Sequence, residues 1–317
     1  MKKISIVVPV FNEQENAEVF YQEVVKHMDP LPYAYELIFV DDGSKDDTAS
    51  ILERLASCDK RVKALLLARN FGHQVALTCG MDYADGDAVI TMDGDLQHPP
   101  QLLPTLIARW EEGNEVVQTV RVDTVGVSAF KRTSSRMFYR ILNLLSDTHI
   151  TEGGSDFRLL DRRVIKTFRS FKEKARFIRG IIGNIGYRQT QVEFVAPPRF
   201  AGQSKFSMKK MLRFALDGIT SYSKVPLRLA LYLGLCFGLV SFGLTLDVLY
   251  IKLFTNDAVP GWATMAVSTL MLGGIQLIGL GIIGEYVGRI FEEVKERPLY
   301  WLRGEMNIKS RLDWQKR

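Results

Sequence analysis

Two long apolar runs near the carboxyl end constrain this 317-residue chain more than any other feature. Between positions 227 and 284 the charged side chains are Arg228, Asp247, Lys252 and Asp257 alone. The first run, 229–253, is apolar except for Asp247 and Lys252. Both lie toward its distal end, where an ionisable group costs less than at a bilayer centre. The second, 262–283, carries no charge. A helix needs about 20 apolar residues to cross the hydrocarbon core, so each run is long enough to span. The link at 254–261 is short and holds Pro260 and Gly261, so the pair reads as a helical hairpin. Two buried helices of a soluble core are the competing reading, but uncharged runs of this length are rare in water-soluble domains. Gly273, Gly274, Gly279, Gly281, Gly284 and Gly288 permit close helix packing, within the hairpin or between copies in a homo-oligomer.

Basic residues orient the hairpin. Lys209, Lys210, Arg213, Lys224 and Arg228 precede it, Arg289, Lys295, Arg297 and Arg303 follow it, and the link carries none after Lys252. Both flanks are therefore expected in the cytoplasm, which makes this a multi-pass inner-membrane protein with both termini cytoplasmic. Positions 206–222 set basic residues among Met208, Met211, Leu212, Phe214, Leu216 and Ile219 at helical spacing. That pattern suits an amphipathic helix on the bilayer surface, and an ordinary surface helix would show it too. The formal charge of +5 is largely accounted for by these juxtamembrane cations, so a nucleic-acid partner is not expected. A chain 47% hydrophobic and 24% charged is not disordered. Cys58, Cys79 and Cys236 show no paired spacing for zinc or a disulfide framework. Met1-Lys2-Lys3-Ile4 leads straight into a strand-like pattern, so no signal peptide is expected.

The first half alternates strand and helix. Strands are predicted at 4–10, 35–40, 62–67, 88–92 and 116–120. Asn12 and Glu15 form a capping pair for a helix reaching Met28; further helices are predicted at 46–55, from Asn70 to Tyr83, and at 99–112 with prolines in the first turn. This order predicts an α/β domain with a parallel-rich sheet, whose ligands sit outside the carboxyl ends of the strands. The polar clusters fall at those ends: Asn12-Glu13, Asp41-Asp42, Arg69-Asn70 and Asp93/Asp95. Neither GxGxxG after the first strand nor a P-loop is present. Instead Asp93-Gly94-Asp95 follows a buried strand, with Gln97 close behind. Two carboxylates and an amide oxygen suit a hard cation, Mg²⁺ or Mn²⁺, held against a diphosphate, although a lone DxD is more often a solvated turn.

Five segments occur in order: Pro9-Val10-Phe11-Asn12-Glu13, Asp41-Asp42-Gly43-Ser44, Arg69-Asn70-Phe71-Gly72, Asp93-Gly94-Asp95-Leu96-Gln97-His98-Pro99-Pro100 and Gly154-Ser155-Asp156-Phe157-Arg158. Together they resemble the inverting GT-A glycosyltransferases of family 2, in the branch of dolichyl-phosphate mannose synthase and the bacterial polyprenyl-phosphate glycosyltransferases. Arg199 with Gly202-Gln203-Ser204-Lys205, and Gly284-Glu285-Tyr286-Val287-Gly288-Arg289 closing the hairpin, match the bacterial two-span subgroup. To about Tyr300 the chain is similar to the bactoprenol glucosyltransferases of O-antigen modification.

The resemblance implies a GT-A catalytic domain over 1–205, a juxtamembrane segment over 206–226, two transmembrane helices over 227–291 and a cytoplasmic tail over 292–317. It implies transfer of a hexose from a nucleotide sugar to the phosphate of a membrane polyprenol, with inversion. UDP-glucose is the expected donor; GDP-mannose, UDP-galactose and modified arabinose donors stay open. Pro9, Asn12, Glu13 and Asp42, with Asp93, are implied to seat the donor nucleotide, and Asp93, Asp95 and Gln97 to hold Mg²⁺ or Mn²⁺. Asp95, Asp156 and Arg199 are the catalytic candidates, Asp156 in the place of the family's base. Because a phosphate monoester is already largely ionised, with a second pKa of about 6, Asp156 is equally read as orienting the acceptor or a cationic neighbour. Arg121, Lys131, Arg132, Ser135, Arg199 and Lys205 are the candidates for the acceptor phosphate. The segment Arg121-Val122-Asp123-Thr124-Val125 lacks the second arginine that family members often carry there. His73 and His98 are expected to support the metal residues, not to bind metal.

Overall fold

The computed structural model describes residues 1–122, 154–174, 176–195, 197, 225–254 and 261–308. Contacts divide these into two compact units, residues 1–197 with 297–308 in one and 225–254 with 261–296 in the other.

The first unit is built on an eight-stranded mixed sheet of order β7-β5-β6-β4-β1-β2-β3-β8. Its strands are β1 (Lys3–Val10), β2 (Ala34–Asp41), β3 (Val62–Leu67), β4 (Ala88–Thr91), β5 (Val116–Arg121), β6 (Gly154–Asp161), β7 (Gln189–Phe194) and β8 (Leu302–Met306). The central strands β3, β2, β1 and β4 are parallel. They are buried on both faces, as their continuous apolar runs require. Ile4, Ile6, Val8 and Val10 of β1 face α1 (Ala17–Met28), α2 (Thr48–Cys58) and α4 (Leu103–Glu111), packing with Phe20, Val24, Leu52, Leu106 and Trp110. Val7, with Ile38 and Val40 of β2, faces α3 (His73–Tyr83), α5 (Arg162–Ser170) and α6 (Ile178–Asn184), packing with Ala76, Leu77, Phe168 and Ile181.

Three local expectations are corrected. Asn12 does not cap α1: it takes a left-handed φ of 53°, and the helix starts at Ala17 behind Asn16. The Asn12 side-chain Oδ1 instead accepts Lys45 N–H at 2.9 Å and so ties two loops together. The predicted helix 99–112 begins as a 3₁₀ turn, Pro100–Leu102, before α4, because Pro104 sits in the first turn of α4. The predicted tail contains β8, which pairs antiparallel with β3.

One strand enters out of order. β6 inserts between β4 and β5, antiparallel to both. Its first residues therefore lie at the carboxyl end of β4, with Thr91 opposite Arg158. Pro9 is tolerated inside a central strand for a related reason. The Val7 carbonyl points toward β4 and that of Val10 toward β2, so Pro9 faces the β4 side, where pairing has ended at Thr91. Its missing N–H forfeits no ladder bond.

The second unit comprises α7 (Val225–Phe254) and α8 (Trp262–Val294), both long and apolar enough to cross a membrane. Leu233, Leu239, Phe242, Leu277, Leu280 and Ile283 are exposed, an apolar surface of the kind that a membrane or a partner covers. α8 outlasts its apolar run: no helix breaker occurs before Pro298, and Glu285 pairs with Arg289 at 3.2 Å on its last turns.

Candidate active site

Four strand ends and one helix start converge on a cleft of about 210 Å³. Asp93, Gln97 and His98 come from beyond β4, and Gly154, Ser155 and Asp156 from the start of β6. Arg121 ends β5, Phe194 ends β7, and Arg179 lies in the first turn of α6. A larger hollow of about 490 Å³ lined by Leu31, Tyr33, Pro104 and Ile107 opens beside α4 and the loop before β2. It is away from the carboxyl strand ends, where ligands of such sheets bind.

Asp156 is the centre of the cleft. Its Oδ1 accepts from Arg158 Nη2 at 2.9 Å and Arg179 Nε at 2.9 Å; its Oδ2 accepts from Arg179 Nη2 at 3.1 Å and Gln74 Nε2 at 3.3 Å. His73 Nε2 stands 3.5 Å from Asp156 Oδ2 and 3.5 Å from Asp93 Oδ1, bridging the two acids. Burial opposes the ionised form of Asp156, but Arg179, His73 and Arg158 outweigh it and hold the carboxyl well below the usual range. For His73, crowding by protein disfavours the charge, yet Asp93 and Asp156 raise it to about 9. The side chain is 42% exposed. Arg158, only 2% exposed, is lowered by burial to about 10 and stays charged. A carboxylate so surrounded by donors is a strong anchor for cations and a weak proton acceptor.

The DxD loop is held from beneath. His98 Nδ1 accepts Asp93 N–H at 2.8 Å, which leaves the ring proton on Nε2 to donate to Ser155 Oγ at 2.7 Å. The ring stacks on Phe157 with centroids 5.2 Å apart. Gly94 is glycine because a Cβ there would lie 2.8 Å from Val10 Cγ1. Leu96 adopts φ 60° and packs on the core, turning Gln97 back so that its N–H reaches Asp95 Oδ1 at 3.1 Å.

These residues fit a divalent cation. Asp93 Oδ1 is buried with no hydrogen-bond partner, His73 Nε2 standing 3.5 Å away; Asp95 and the Gln97 amide would supply further oxygens of the kind Mg²⁺ or Mn²⁺ takes. Among the described residues no three His, Cys, Asp or Glu side chains group as a ligand cage.

The other predicted donor residues lie at the ends of β1 and β2. Asp42 Oδ1 accepts Phe71 N–H at 2.7 Å and Oδ2 accepts Gly72 N–H at 2.9 Å, so this acid builds the loop that starts α3. Burial raises it, against those two bonds. Each oxygen keeps a second lone pair for a ligand. Asn12 and Glu13 donate their backbone N–H groups to Ser44 Oγ and Thr48 Oγ1 at 2.8 and 2.9 Å, which locks the loops after β1 and β2 together.

Arg121, a candidate for the acceptor phosphate, lines the cleft. Lys131, Arg132, Ser135, Arg199, Lys205 and the 206–222 segment lie outside the described residues. Arg179 and Gln74 are site residues that the sequence reading passed over. Gln74 follows His73 on α3 and also accepts Ile178 N–H at 3.2 Å, so it ties α3 to the helix bearing Arg179. No short motif surrounds either. Arg158 was in view within the fifth segment, where a charged residue at an inward strand position was the available signal.

Residues 5–169 match the family model described as glycosyl transferase family 2. The chain is 45% identical over 307 residues to the uncharacterized glycosyltransferase YkcC of Bacillus subtilis (strain 168), covering 97% of this chain and 95% of that one. It is 43% identical over 298 residues to the SfII prophage-derived bactoprenol glucosyl transferase of Shigella flexneri, covering 94% and 96%. It is 41% identical over 298 residues to the prophage bactoprenol glucosyl transferase homolog of Escherichia coli (strain K12), covering 94% and 97%. With its mixed sheet, its DxD loop at the end of β4 and Asp156 facing that loop from β6, this chain belongs to glycosyl transferase family 2 and has the GT-A fold.

Proposed function

We propose that this glycosyltransferase moves a hexose, glucose from UDP-glucose in our reading, onto the phosphate of a membrane polyprenol, with inversion at the anomeric carbon. Relatives named bactoprenol glucosyl transferase, matched along nearly the whole chain, support the acceptor and the sugar. The observation that carries the reading is the cleft itself: Asp93 of the DxD loop and the cations Arg121 and Arg179 line it together with Asp156. A donor diphosphate requires the first set and an anionic acceptor the second.

Asp93, Asp95 and Gln97 would hold Mg²⁺ or Mn²⁺, which supplies charge neutralisation for the departing diphosphate. Pro9, Asn12, Glu13 and Asp42 seat the nucleoside. Arg179, 31% exposed and aligned by two bonds to Asp156, joins Arg121 in drawing the acceptor phosphate in; Lys131, Arg132, Ser135, Arg199 and Lys205 stay our further candidates for that phosphate. A phosphate oxygen attacks the anomeric carbon as the bond to the diphosphate breaks. The phosphate arrives largely as a dianion, so no proton need be removed and Asp156 acts by orienting Arg179.

The enzyme is read as a multi-pass inner-membrane protein with catalytic domain and termini cytoplasmic. Chain order supports one side for both: β8 follows α8, yet it pairs with β3, made before α7. A chain that leaves a sheet, crosses twice and returns to it emerges on the side where it began. The glycine-rich α8 supports self-association. Domain limits of 1–205, 206–226 and 227–291 follow from this reading, with 292–317 now contributing a strand.

The test is transfer of radiolabelled hexose from UDP-glucose, UDP-galactose and GDP-mannose into a lipid extract containing polyprenyl phosphate, with Mg²⁺ or Mn²⁺. Labelled lipid from UDP-glucose is expected. Binding of nucleotide sugar with no glycolipid from any donor refutes the reading and leaves a sensor or translocase.

A further inference from the structure

The stretch that follows α8 returns to the first unit and grips α3 at both ends. Tyr300, 8% exposed, donates its hydroxyl to Asp82 Oδ2 at 2.9 Å in the last turn of α3. The next residue, Trp301, accepts Ala68 N–H on its carbonyl at 2.9 Å. It lays its indole against Phe71, ring centroids 5.4 Å apart. The guanidinium of Arg69 stands 4.4 Å from the same Phe71 ring. Phe71 and Gly72 point their N–H groups at Asp42, and Gly72, with φ 98°, sets off α3. The first two residues of that helix are His73 and Gln74, both of which reach Asp156.

The loop 68–72 is therefore stretched between two supports. On one side is the Asp42 carboxylate, with Gly43 so close that a Cβ there would stand 2.7 Å from Asn70 N. On the other is a tryptophan from 230 positions further along the chain, since Phe71 is residue 71 and Trp301 residue 301. Ala68, Arg69 and Asn70 are themselves exposed, so their own burial holds them little. Trp301 is 48% exposed, more than a tryptophan serving the core alone would be.

We propose that Trp301 is a positioning residue. It holds Phe71 so that the first turn of α3 presents His73 and Gln74 to Asp156, and the catalytic cleft is completed by chain from beyond the second apolar helix. The consequence for turnover rests on the reaction proposed above; the placement of the loop does not.

The experiment compares the full chain in detergent with Trp301→Ala, Trp301→Phe and Phe71→Leu. Amide hydrogen exchange over 68–74 is expected to accelerate at least tenfold in Trp301→Ala and in Phe71→Leu, with β1 and β2 at the wild-type rate. Trp301→Phe should restore slow exchange. In the transfer assay kcat should fall severalfold in Trp301→Ala with the acceptor KM unchanged, and Trp301→Phe should recover it. Wild-type exchange over 68–74 in both Trp301→Ala and Phe71→Leu overturns the proposal. So does acceleration spread evenly over the sheet, which would make Trp301 a mere anchor for β8. A wild-type chain that forms no glycolipid sinks the proposed reaction and leaves the exchange result to decide the loop.

Discussion

Replacing Asp156 by asparagine removes one negative charge from a site that faces three cationic side chains and an amide. Of these, Arg158 decides the cost. Its side chain is 2% exposed and its Nη2 lies 2.9 Å from Asp156 Oδ1. Breaking a buried ion pair by removing one partner costs about 3–5 kcal/mol. Asparagine keeps one acceptor oxygen, so the lower figure, about 3 kcal/mol, is expected. Arg179, partly exposed, can turn to water and adds little. For a unit of this size that corresponds to a melting point lower by about 6–12 °C. The assay is thermal unfolding of the full chain in detergent, wild type against Asp156→Asn, from pH 7.5 downward. The folded carboxyl lies well below its usual value. Its stabilisation is therefore complete above the unfolded value and is lost as pH falls through the folded one. The gap between the two proteins should be full at pH 7.5 and start to narrow below about pH 5. Equal melting points at pH 7.5, or a gap that does not shrink in acid, would refute the claim that Asp156 is held ionised by its buried neighbours.

Further outcomes follow from the same geometry. Asp156→Asn should retain measurable transfer, with an acid limb in the rate near pH 6 set by the acceptor phosphate, whose second pKa is about 6; complete loss with both substrates bound would make Asp156 an obligatory base. Asp95→Ala should abolish transfer without unfolding the chain, since Asp95 lies in the DxD turn and not in the apolar core; near-normal turnover at saturating Mn²⁺ would remove it from the metal set. His73 is raised to about 9 by Asp93 and Asp156, so its stabilising charge is fully present below the unfolded pKa and lost as pH rises through 9. The stability gap between wild type and His73→Leu should shrink between pH 7 and pH 10, and a constant gap would deny the bridge. Gly43→Ala should destabilise the chain by about 1–3 kcal/mol or more, because its φ of 71° and the Asn70 backbone leave no room for a Cβ; unchanged chemical denaturation would contradict the packing of the two loops.

Much of the protein is set by local pattern. The runs 229–253 and 262–283 need only length and lack of charge to declare two long helices, and α7 and α8 cover both. The strands β1 to β5 follow from short apolar runs bounded by polar turns, and the DxD acids stand after β4 because a buried strand must end before a charged pair begins. Capping was less legible: Asn12 has the residue type of a cap, but its partner is Lys45, 33 positions away, and that contact took precedence over the local one. Chain order cannot say where β6 enters the sheet. Its insertion beside β4 is what sets Asp156 against Asp93, and two residues in different segments meet only once strand pairing fixes the register. The same holds for Arg179, which reaches Asp156 across 23 positions from a short helix with no motif of its own. It holds as well for Tyr300, whose bond to Asp82 spans 218 positions. Periodicity and composition are properties of neighbours along the chain and so are decided by sequence. The electrostatic cage of Asp156 and the return of β8 depend on which distant segments share a sheet end, and only tertiary folding decides that.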